Sequence, residues 1–272
     1  MGMFIRCLFH HSTLLYAVAL WLNAFAVTTT ALPSSLRRYG SRVETIGRGS
    51  TASVYLCEAS ETEIFAVKVF DAWDPKEHST LEDYRKEILR QHSITKRVSD
   101  HDSIVQVFDL KEKDEIWFEV MEYYPQSVFA AVAQGNSSEV ESECLFKQLI
   151  GAVAHVHQHG FAHRDLKLEN LMMDSHGKLK LLDFGRAVLA YDFLEQKVLL
   201  HYDIIGSDPY MAPEGFRSLK YDPRIADIWS LAMVYYAMTL RQLPWERPHV
   251  SDEDSRVFVS SQTSSVSRVS IL

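Results

Sequence analysis

Cysteine is scarce in this sequence. The 272 residues contain only Cys7, Cys57 and Cys144, which are widely separated. An odd and dispersed set excludes a framework of disulfide bonds, and the lack of C-x-x-C spacing argues against a zinc site built from thiolates. We therefore interpret the cysteines as buried or bystander thiols.

Dense runs of basic residues are also missing. The formal net charge is −8, and no stripe of Lys and Arg stands out along the chain. Nucleic-acid binding depends on such a stripe, because neutralising phosphates releases counterions. The composition therefore excludes nucleic acid as a partner.

Histidine is more frequent, and three histidines lie close together at 155, 157 and 159. Gly160 indicates that a helix ends beside them. The sequence around them lacks the carboxylate or cysteine partners that a metal site requires. We therefore predict no metal site at these histidines.

No apolar run is long enough to predict a membrane span. The longest, from Leu14 to Val27, is short and contains Asn23. With Arg6 before it and small polar residues after it, residues 1–39 resemble a secretory signal peptide. A short membrane anchor, and a segment that the mature protein never carries, are alternatives that the sequence leaves open. Arg6 stands where an N-myristoylation signal requires Ser or Thr, which argues against that modification.

The rest of the chain predicts a mixed α+β domain over residues 40–250. Alternating apolar residues indicate antiparallel strands over 42–70 and again over 104–122. Apolar positions at helical spacing predict helices over 80–97, 139–157 and 225–238. The Ser-rich tail, residues 251–272, has too little apolar content to pack well, and no internal repeat is visible.

Two short motifs in the predicted sheet are suited to phosphate binding. The sequence IGRGSTASV, from Ile46 to Val54, predicts a glycine turn between two strands, whose backbone N–H groups can approach phosphate oxygens. Ala52 stands where a third glycine is usual. Lys68 follows Gly49 by nineteen residues, in the strand motif Ala66-Val-Lys68, at a position from which a lysine can reach phosphate.

Two later motifs carry more specific information. HRDLKLEN occupies His163–Asn170, DFG occupies Asp183–Gly185, and eighteen residues separate Asp165 from Asp183. These motifs resemble the catalytic loop and the metal-binding motif of eukaryotic Ser/Thr protein kinases. The resemblance implies a bilobal kinase fold with an N-lobe of about 40–121, antiparallel β-sheet with one main helix, and a mostly helical C-lobe of about 125–250.

The resemblance also implies the reaction and its cofactors. The expected activity is transfer of the γ-phosphoryl group of ATP to Ser or Thr hydroxyls of a protein substrate, with Mg²⁺ held by Asn170 and Asp183. The implied catalytic residues are Lys68, Asp165, Lys167, Asn170 and Asp183. The implied nucleotide-binding residues are Ile46, Gly47, Gly49, Val54, Ala66, Lys68, Met121, Glu122, Tyr123 and Met172. Structural or regulatory roles are implied for Glu87 or Gln91, His163, Arg164, Phe184, Gly185, Ser207, Glu214 and Asp227.

Further motifs narrow the resemblance. GSDPYMAPE at 206–214 and DIWS at 227–230 match the end of a kinase activation segment and the helix that anchors the catalytic loop. With LPWERP at 243–248, they are similar to fungal kinases of the halotolerance and nitrogen-permease-reactivator type, which regulate transporters.

The expected form is a monomer that works in the cytoplasm, where ATP is available. The segment 1–39 leaves a secretory location or membrane association open.

Kinases pair the strand lysine with a glutamate on the first helix, and here two positions are candidates. Counting nineteen residues forward from Lys68 reaches Glu87, whereas counting back from the Ile104 strand reaches Gln91. The two positions lie one turn apart on the same helix face. If Gln91 takes the inward position, the partner of Lys68 is uncharged. The active conformation is then less favoured than it would be with a glutamate there.

Two other departures bear on activity. Kinases of this family continue for several helices beyond Trp245, and their absence is expected to expose apolar surface around Trp229 and to leave Glu214 without its usual arginine. A pseudokinase that binds ATP without turnover is therefore the alternative function.

Arg164 usually binds a phosphorylated residue of the activation segment, but no Ser or Thr occurs between Arg186 and Ile205. We hypothesise that Asp203 or Glu195 pairs with Arg164 constitutively.

Overall fold

The computed structural model describes residues 32–78, 80–217 and 220–245. Residues 1–31 of the predicted N-terminal segment, which covers 1–39, and the predicted Ser-rich tail over residues 251–272 lie outside this range. None of the described helices has an apolar stretch long enough to span a bilayer.

The described residues contain four α-helices and twelve short or medium strands. The helices are α1 (Leu81–Val98), α2 (Val128–Ala133), α3 (Glu139–Gln158) and α4 (Pro223–Leu240). The strands of the main sheet are β1 (Ser41–Arg48), β2 (Ala52–Glu58), β3 (Ile64–Phe70), β4 (Val107–Lys113) and β5 (Ile116–Glu122). The shorter strands are β6 (Gln126–Ser127), β7 (Phe161–Ala162), β8 (Leu171–Met173), β9 (Leu179–Leu181), β10 (Val188–Leu189), β11 (Tyr191–Asp192) and β12 (Lys197–Val198).

The helices begin where the sequence supplies side-chain caps. Thr80 Oγ1 accepts the backbone N–H of Asp83 at the start of α1. Ser138 and Glu141 form a reciprocal capping box at the start of α3, and Asp222 caps α4 ahead of Pro223. Such caps satisfy backbone N–H groups that lack a partner inside the helix. They explain why the three predicted helices are confirmed to within two residues.

The described residues form two compact units. The first comprises the residues up to 72 together with 111–118, and the second comprises 73–110 and the residues from 119 onward. In the first unit, β1 pairs antiparallel with β2, and β2 with β3. Gly40 precedes β1 with φ of 86°, and a Cβ there would lie 1.8 Å from the carbonyl oxygen of Glu58, so only glycine fits.

The predicted sheet is confirmed and has five strands, in the order β1-β2-β3-β5-β4. The predicted strand at Ile104 is shorter than expected, because β4 begins only at Val107. Ile104 instead forms an isolated bridge with Leu181 of β9. This bridge fixes the end of the β8–β9 hairpin, which lies between the two catalytic motifs in the sequence.

The second unit has a single apolar core around α3 and α4. Fully buried side chains on these helices include Leu149, Val153 and Val234. Several apolar side chains of α4 face outward instead, namely Ile225, Ile228, Tyr235 and Leu240, which are 39–60% exposed. Trp229, around which exposure was expected, is half-buried and stacks on Trp245.

Candidate active site

The loop after β7 brings a carboxylate, an amine and a hydroxyl together. Lys167 Nζ donates to Asp165 Oδ2 at 2.9 Å and to Ser207 Oγ at 2.8 Å. Ser207 Oγ in turn donates to Asp165 Oδ1 at 2.9 Å. Asp165 is only 6% exposed, so these bonds lie in a medium where they are stronger than in water. The arrangement holds one carboxylate ready to accept a proton from a hydroxyl group.

Asn170 is held beside this carboxylate. Its Nδ2 donates to the backbone carbonyl oxygen of Asp165 at 2.8 Å, and Oδ2 of Asp165 lies 3.3 Å away. Since Nδ2 is committed to Asp165, the amide orientation is set and the other amide atom, Oδ1, can serve as a ligand. A carboxamide oxygen is a hard donor of the kind that Mg²⁺ accepts.

Asp183 supplies a second carboxylate in an unusual backbone conformation. Its φ of 61° and ψ of 77° are left-handed, and its Oδ1 accepts the N–H of Gly185 at 3.4 Å. Phe184 is buried, and its ring centroid lies 4.8 Å from that of His163 with an angle of 66° between the ring planes. Left-handed non-glycine residues are uncommon and concentrate at functional sites, because the surrounding structure must maintain them.

Asp227 of α4 anchors the catalytic loop. It is completely buried, and its carboxylate accepts the backbone N–H groups of His163 and Arg164, each at 2.8 Å. His157 Nε2 lies 2.8 Å from the same carboxylate. Arg164 has φ of 67°, so these bonds stabilise another left-handed residue. His163 Nε2 donates to the carbonyl oxygen of Leu182 at 3.0 Å, which links this loop to the Asp183 segment.

Helix α1 contacts the segment after Asp183 through a residue that the sequence analysis missed. Arg90 Nη2 donates to the carbonyl oxygen of Gly185 at 2.8 Å, and Nη1 donates to that of Ala187. Gln91 is 7% exposed, and a Cβ at Gly185 would lie 3.1 Å from its Oε1. No local pattern indicates this contact, because its partners lie more than ninety residues away along the chain.

Glu87 and Gln91, the two candidate partners of Lys68, differ in their surroundings within the second unit. Gln91 is buried, whereas the Glu87 side chain is 48% exposed and lies 3.4 Å from His78 Nδ1. The buried position on α1 thus carries a neutral carboxamide. This geometry favours Gln91 over Glu87 as the inward residue of the helix.

Asp203 and Glu195 were the two acidic candidates for pairing with Arg164, and Asp203 is the one that makes the contact. Its Nη2 lies 2.7 Å from Asp203 Oδ2, and Tyr221 Oη donates to the carbonyl oxygen of Asp203 at 3.2 Å. Burial acts to raise the pKa of Asp203, but the hydrogen bond and charge of Arg164 outweigh it and hold that pKa below its ordinary value. The hypothesised Arg164–Asp203 pair is confirmed, and its carboxylate is ionised at neutral pH.

Glu122, the residue after Met121, forms a partly buried ion pair with Lys180. Lys180 Nζ lies 2.7 Å from Glu122 Oε2, which also accepts the N–H of Gln106 at 3.0 Å. The N–H of Glu122 donates to the carbonyl oxygen of Gln106 at 3.0 Å. Met121 is buried, Tyr123 and Met172 are half-buried, and Met172 pairs with Lys180 across β8 and β9.

In the first unit, the glycine loop is a tight turn between β1 and β2. The N–H of Gly49 donates to the carbonyl oxygen of Ala52 at 2.8 Å, and a Cβ at Gly47 would meet nothing closer than Val54 at 3.8 Å. Arg48 makes a bidentate ion pair with Asp71 at 2.6 and 2.9 Å. Ile46 is exposed and Ala66 is buried, while Lys68 Nζ lies 5.1 Å from the ring centroid of Phe70.

The last of the predicted residues, Glu214, lies in a short 3-10 helix at Pro213–Arg217, where it is half-buried. This helix follows the segment that carries Ser207. The Tyr210 backbone carbonyl accepts a hydrogen bond from Ser230 of α4 at 2.8 Å, which attaches the same segment to the helix of Asp227.

Comparison with known proteins agrees with this geometry. The family profile described as protein kinase domain matches residues 41–268. The serine/threonine-protein kinase oca2 of Schizosaccharomyces pombe is 39% identical over 229 residues, which cover 84% of this chain and 35% of the relative. The probable serine/threonine-protein kinase RTK1 of Saccharomyces cerevisiae is 36% identical over 227 residues, 82% of this chain and 36% of the relative.

A third relative is the nitrogen permease reactivator protein of Saccharomyces cerevisiae. It is 37% identical over 228 residues, which cover 83% of this chain and 28% of the relative. The chain therefore spans about a third of the length of the curated relatives it matches.

Proposed function

The chain belongs to the protein kinase family, and from that premise we propose that it transfers the γ-phosphoryl group of ATP to Ser or Thr hydroxyls of a protein substrate. The observation that carries the proposal is the mutual hydrogen bonding of Asp165, Lys167 and Ser207. The donor and acceptor atoms are less than 3 Å apart in all three hydrogen bonds.

Asp165 acts as the base. The acceptor oxygen forms a bond to the γ-phosphorus while the bond from that phosphorus to the β,γ-bridging oxygen breaks, and the hydroxyl proton passes to Asp165. The positive charge of Lys167 opposes the negative charge of the transferring group, and Lys167 is already fixed by two hydrogen bonds. Preorganised charge of this kind lowers the barrier without reorganisation during the reaction.

Asn170 and Asp183 would hold Mg²⁺. Their oxygen atoms form a hard donor set, and the orientation of Asn170 is fixed by its bond to the Asp165 backbone, so the residues fit the ion. When bound, Mg²⁺ neutralises phosphate charge. We propose that the phosphates of ATP contact Lys68, Gly47 and Gly49 of the first unit. The adenine is proposed to contact Val54, Ala66, Met121, Tyr123 and Met172.

The test is transfer of radioactive phosphate from [γ-³²P]ATP to a generic protein substrate by the purified full chain, followed by phosphoamino-acid analysis. We expect labelled Ser and Thr, no labelled Tyr, and loss of the signal with EDTA. A folded protein that binds ATP but labels nothing would instead be a pseudokinase. That alternative has one observation in its favour, the neutral Gln91 at the buried position of α1.

The substrate class is proposed from the relatives. One relative is named for reactivation of a nitrogen permease, which supports a role for this chain in the control of membrane permeases. We further propose a monomer acting in the cytoplasm, where ATP is available. Membrane association through residues 1–39 is a hypothesis drawn from the sequence.

The Arg164–Asp203 pair leads to a prediction about control of activity. Asp203→Ala should lower kcat/KM about fivefold, because the buried guanidinium loses a partner worth about 1 kcal/mol after allowance for the 42% exposure of Asp203. Steady-state kinetics on the purified variant measure the effect. Treatment of the wild-type chain with a protein phosphatase should leave kcat/KM unchanged.

Glu195→Ala is the matched control for Asp203→Ala. Glu195 is an exposed acidic residue of the same segment, and its backbone N–H is bonded to Asp192, so its side chain should be dispensable. Equal kcat/KM values for Asp203→Ala and the wild type, or inactivation by the phosphatase, would contradict the constitutive role of the pair.

A further inference from the structure

Three side chains outside the candidate active site converge on one point of the second unit. Asp100 follows the end of α1, His155 lies in the last turn of α3, and His159 is the residue that ends α3. One potential ligand atom from each lies within 4.8 Å of the other two. The carboxylate that the sequence next to these histidines lacks is thus contributed by a distant segment.

The distances within this cluster are short. His155 Nε2 lies 2.9 Å from Asp100 Oδ1, and the rings of His155 and His159 have centroids 4.2 Å apart. The Asp100 side chain is 73% exposed, so it can rotate without disturbing the core. Ligand atoms around a tetrahedral Zn²⁺ lie about 3.3 Å apart, given metal–ligand bonds of about 2 Å. Small side-chain rotations suffice to reach that spacing.

The hydrogen bonds of His159 prepare it for metal binding. Its Nδ1 lies 2.9 Å from the backbone carbonyl oxygen of His155, which can only accept, so Nδ1 carries the proton. In the neutral ring the lone pair is then on Nε2. A histidine that donates one ring N–H to a backbone carbonyl and offers the other nitrogen is the usual arrangement of a metal ligand in proteins.

A simple ion pair does not explain the cluster equally well. An exposed His–Asp pair accounts for His155 and Asp100 but gives no reason for a second imidazole at 4.2 Å. His101 lies nearby, with its ring 5.0 Å from that of His155. Its Nδ1 accepts the N–H of Ser103, so its Nε2 is protonated and it is a neighbour of the cluster, not a fourth ligand.

We propose that Asp100, His155 and His159 form a binding site for Zn²⁺, with water as the remaining ligand. Two imidazoles and one carboxylate suit a borderline-soft cation and are a poor set for Mg²⁺ or Ca²⁺, which take oxygen ligands. The ion would link the end of α1 to the end of α3. Helix α1 carries Arg90 and Gln91, so the link would also steady the residues that contact Gly185.

The test is titration of the full-length untagged chain, stripped with EDTA and free of nucleotide, with Zn²⁺ in competition with a chromophoric chelator. Asp100→Asn, His155→Gln and His159→Gln should each weaken Zn²⁺ binding about tenfold or more. The melting temperature of the wild type should rise with Zn²⁺, and that of the variants should not. Circular dichroism and melting in EDTA verify that each variant is folded, and Asp100→Asn alters only an exposed side chain.

Two controls separate this site from other histidines. His176→Gln changes an exposed loop histidine, and the double change His10→Gln and His11→Gln removes the adjacent pair near the N-terminus. Both should retain wild-type affinity for Zn²⁺. Failure of the wild type to bind Zn²⁺, unchanged affinity in Asp100→Asn and His159→Gln, or loss of binding in the His10/His11 variant would overturn the proposal. Because no ATP is present, none of these outcomes depends on the proposed kinase activity.

Discussion

Asp165→Asn should lower kcat for phosphoryl transfer by about 10² to 10⁴-fold while ATP still binds. Asparagine has the same shape and can keep a hydrogen bond from Lys167 or Ser207, both of which lie within 3 Å of the carboxylate. It cannot accept a proton from the substrate hydroxyl. The loss therefore isolates the role of the base from the role of the loop structure.

The measurement combines a phosphoryl-transfer assay with calorimetric titration of ATP and Mg²⁺ into the same preparation. Glu143→Gln is the matched control, because it also replaces a carboxylate with an amide, on an exposed turn of α3 where Glu143 faces Lys147. The control should keep wild-type kcat. If Asp165→Asn retained more than a tenth of the wild-type kcat, Asp165 could not be the base.

Asp227→Asn should reduce the free energy of unfolding of the chain by about 3 kcal/mol. The carboxylate is completely buried and accepts two backbone N–H groups on different oxygens, Arg164 on Oδ1 and His163 on Oδ2. An asparagine side chain offers one oxygen and one NH₂ group. In either orientation, at least one backbone N–H faces the NH₂ group and loses its acceptor.

Urea denaturation followed by circular dichroism and by tryptophan fluorescence measures the change. Asp222→Asn provides the comparison on the same helix, because asparagine caps a helix as well as aspartate does and only the partly exposed pair with Arg224 is lost. That variant should stay within about 1 kcal/mol of the wild type. Equal destabilisation of the two variants would mean that Asp227 contributes no more to stability than the capping residue Asp222.

The sequence predicted those features that depend on local pattern. Helices α1, α3 and α4 follow from apolar spacing and from the caps Thr80, Ser138 and Asp222, all of which act within a few residues. The motif residues from His163 to Asn170 could likewise be named, because their chemistry is tied to a fixed spacing. The shortened strand at Ile104 was not predictable, since the bridge to Leu181 depends on packing between distant segments.

Contacts across long sequence separations account for what was missed. Arg90 is separated by 95 residues from Gly185, whose carbonyl it contacts, and Asp100 is separated by 55 residues from His155. A surface arginine on a charged helix and an exposed aspartate after it have no distinguishing pattern. The choice between Glu87 and Gln91 was open for the same reason, because counting along the chain cannot tell which turn of a helix is buried.

The hydrogen bonds of Arg90 have a consequence for small-molecule inhibition. They attach α1 to the backbone on either side of Arg186, immediately after Phe184. A compound that needs Phe184 displaced from its pocket must select a conformation in which these bonds are broken, and its apparent affinity falls by the fraction of molecules in that conformation. Compounds that leave Phe184 in place avoid this penalty, so this chain should be inhibited more readily by the second class of compound than by the first.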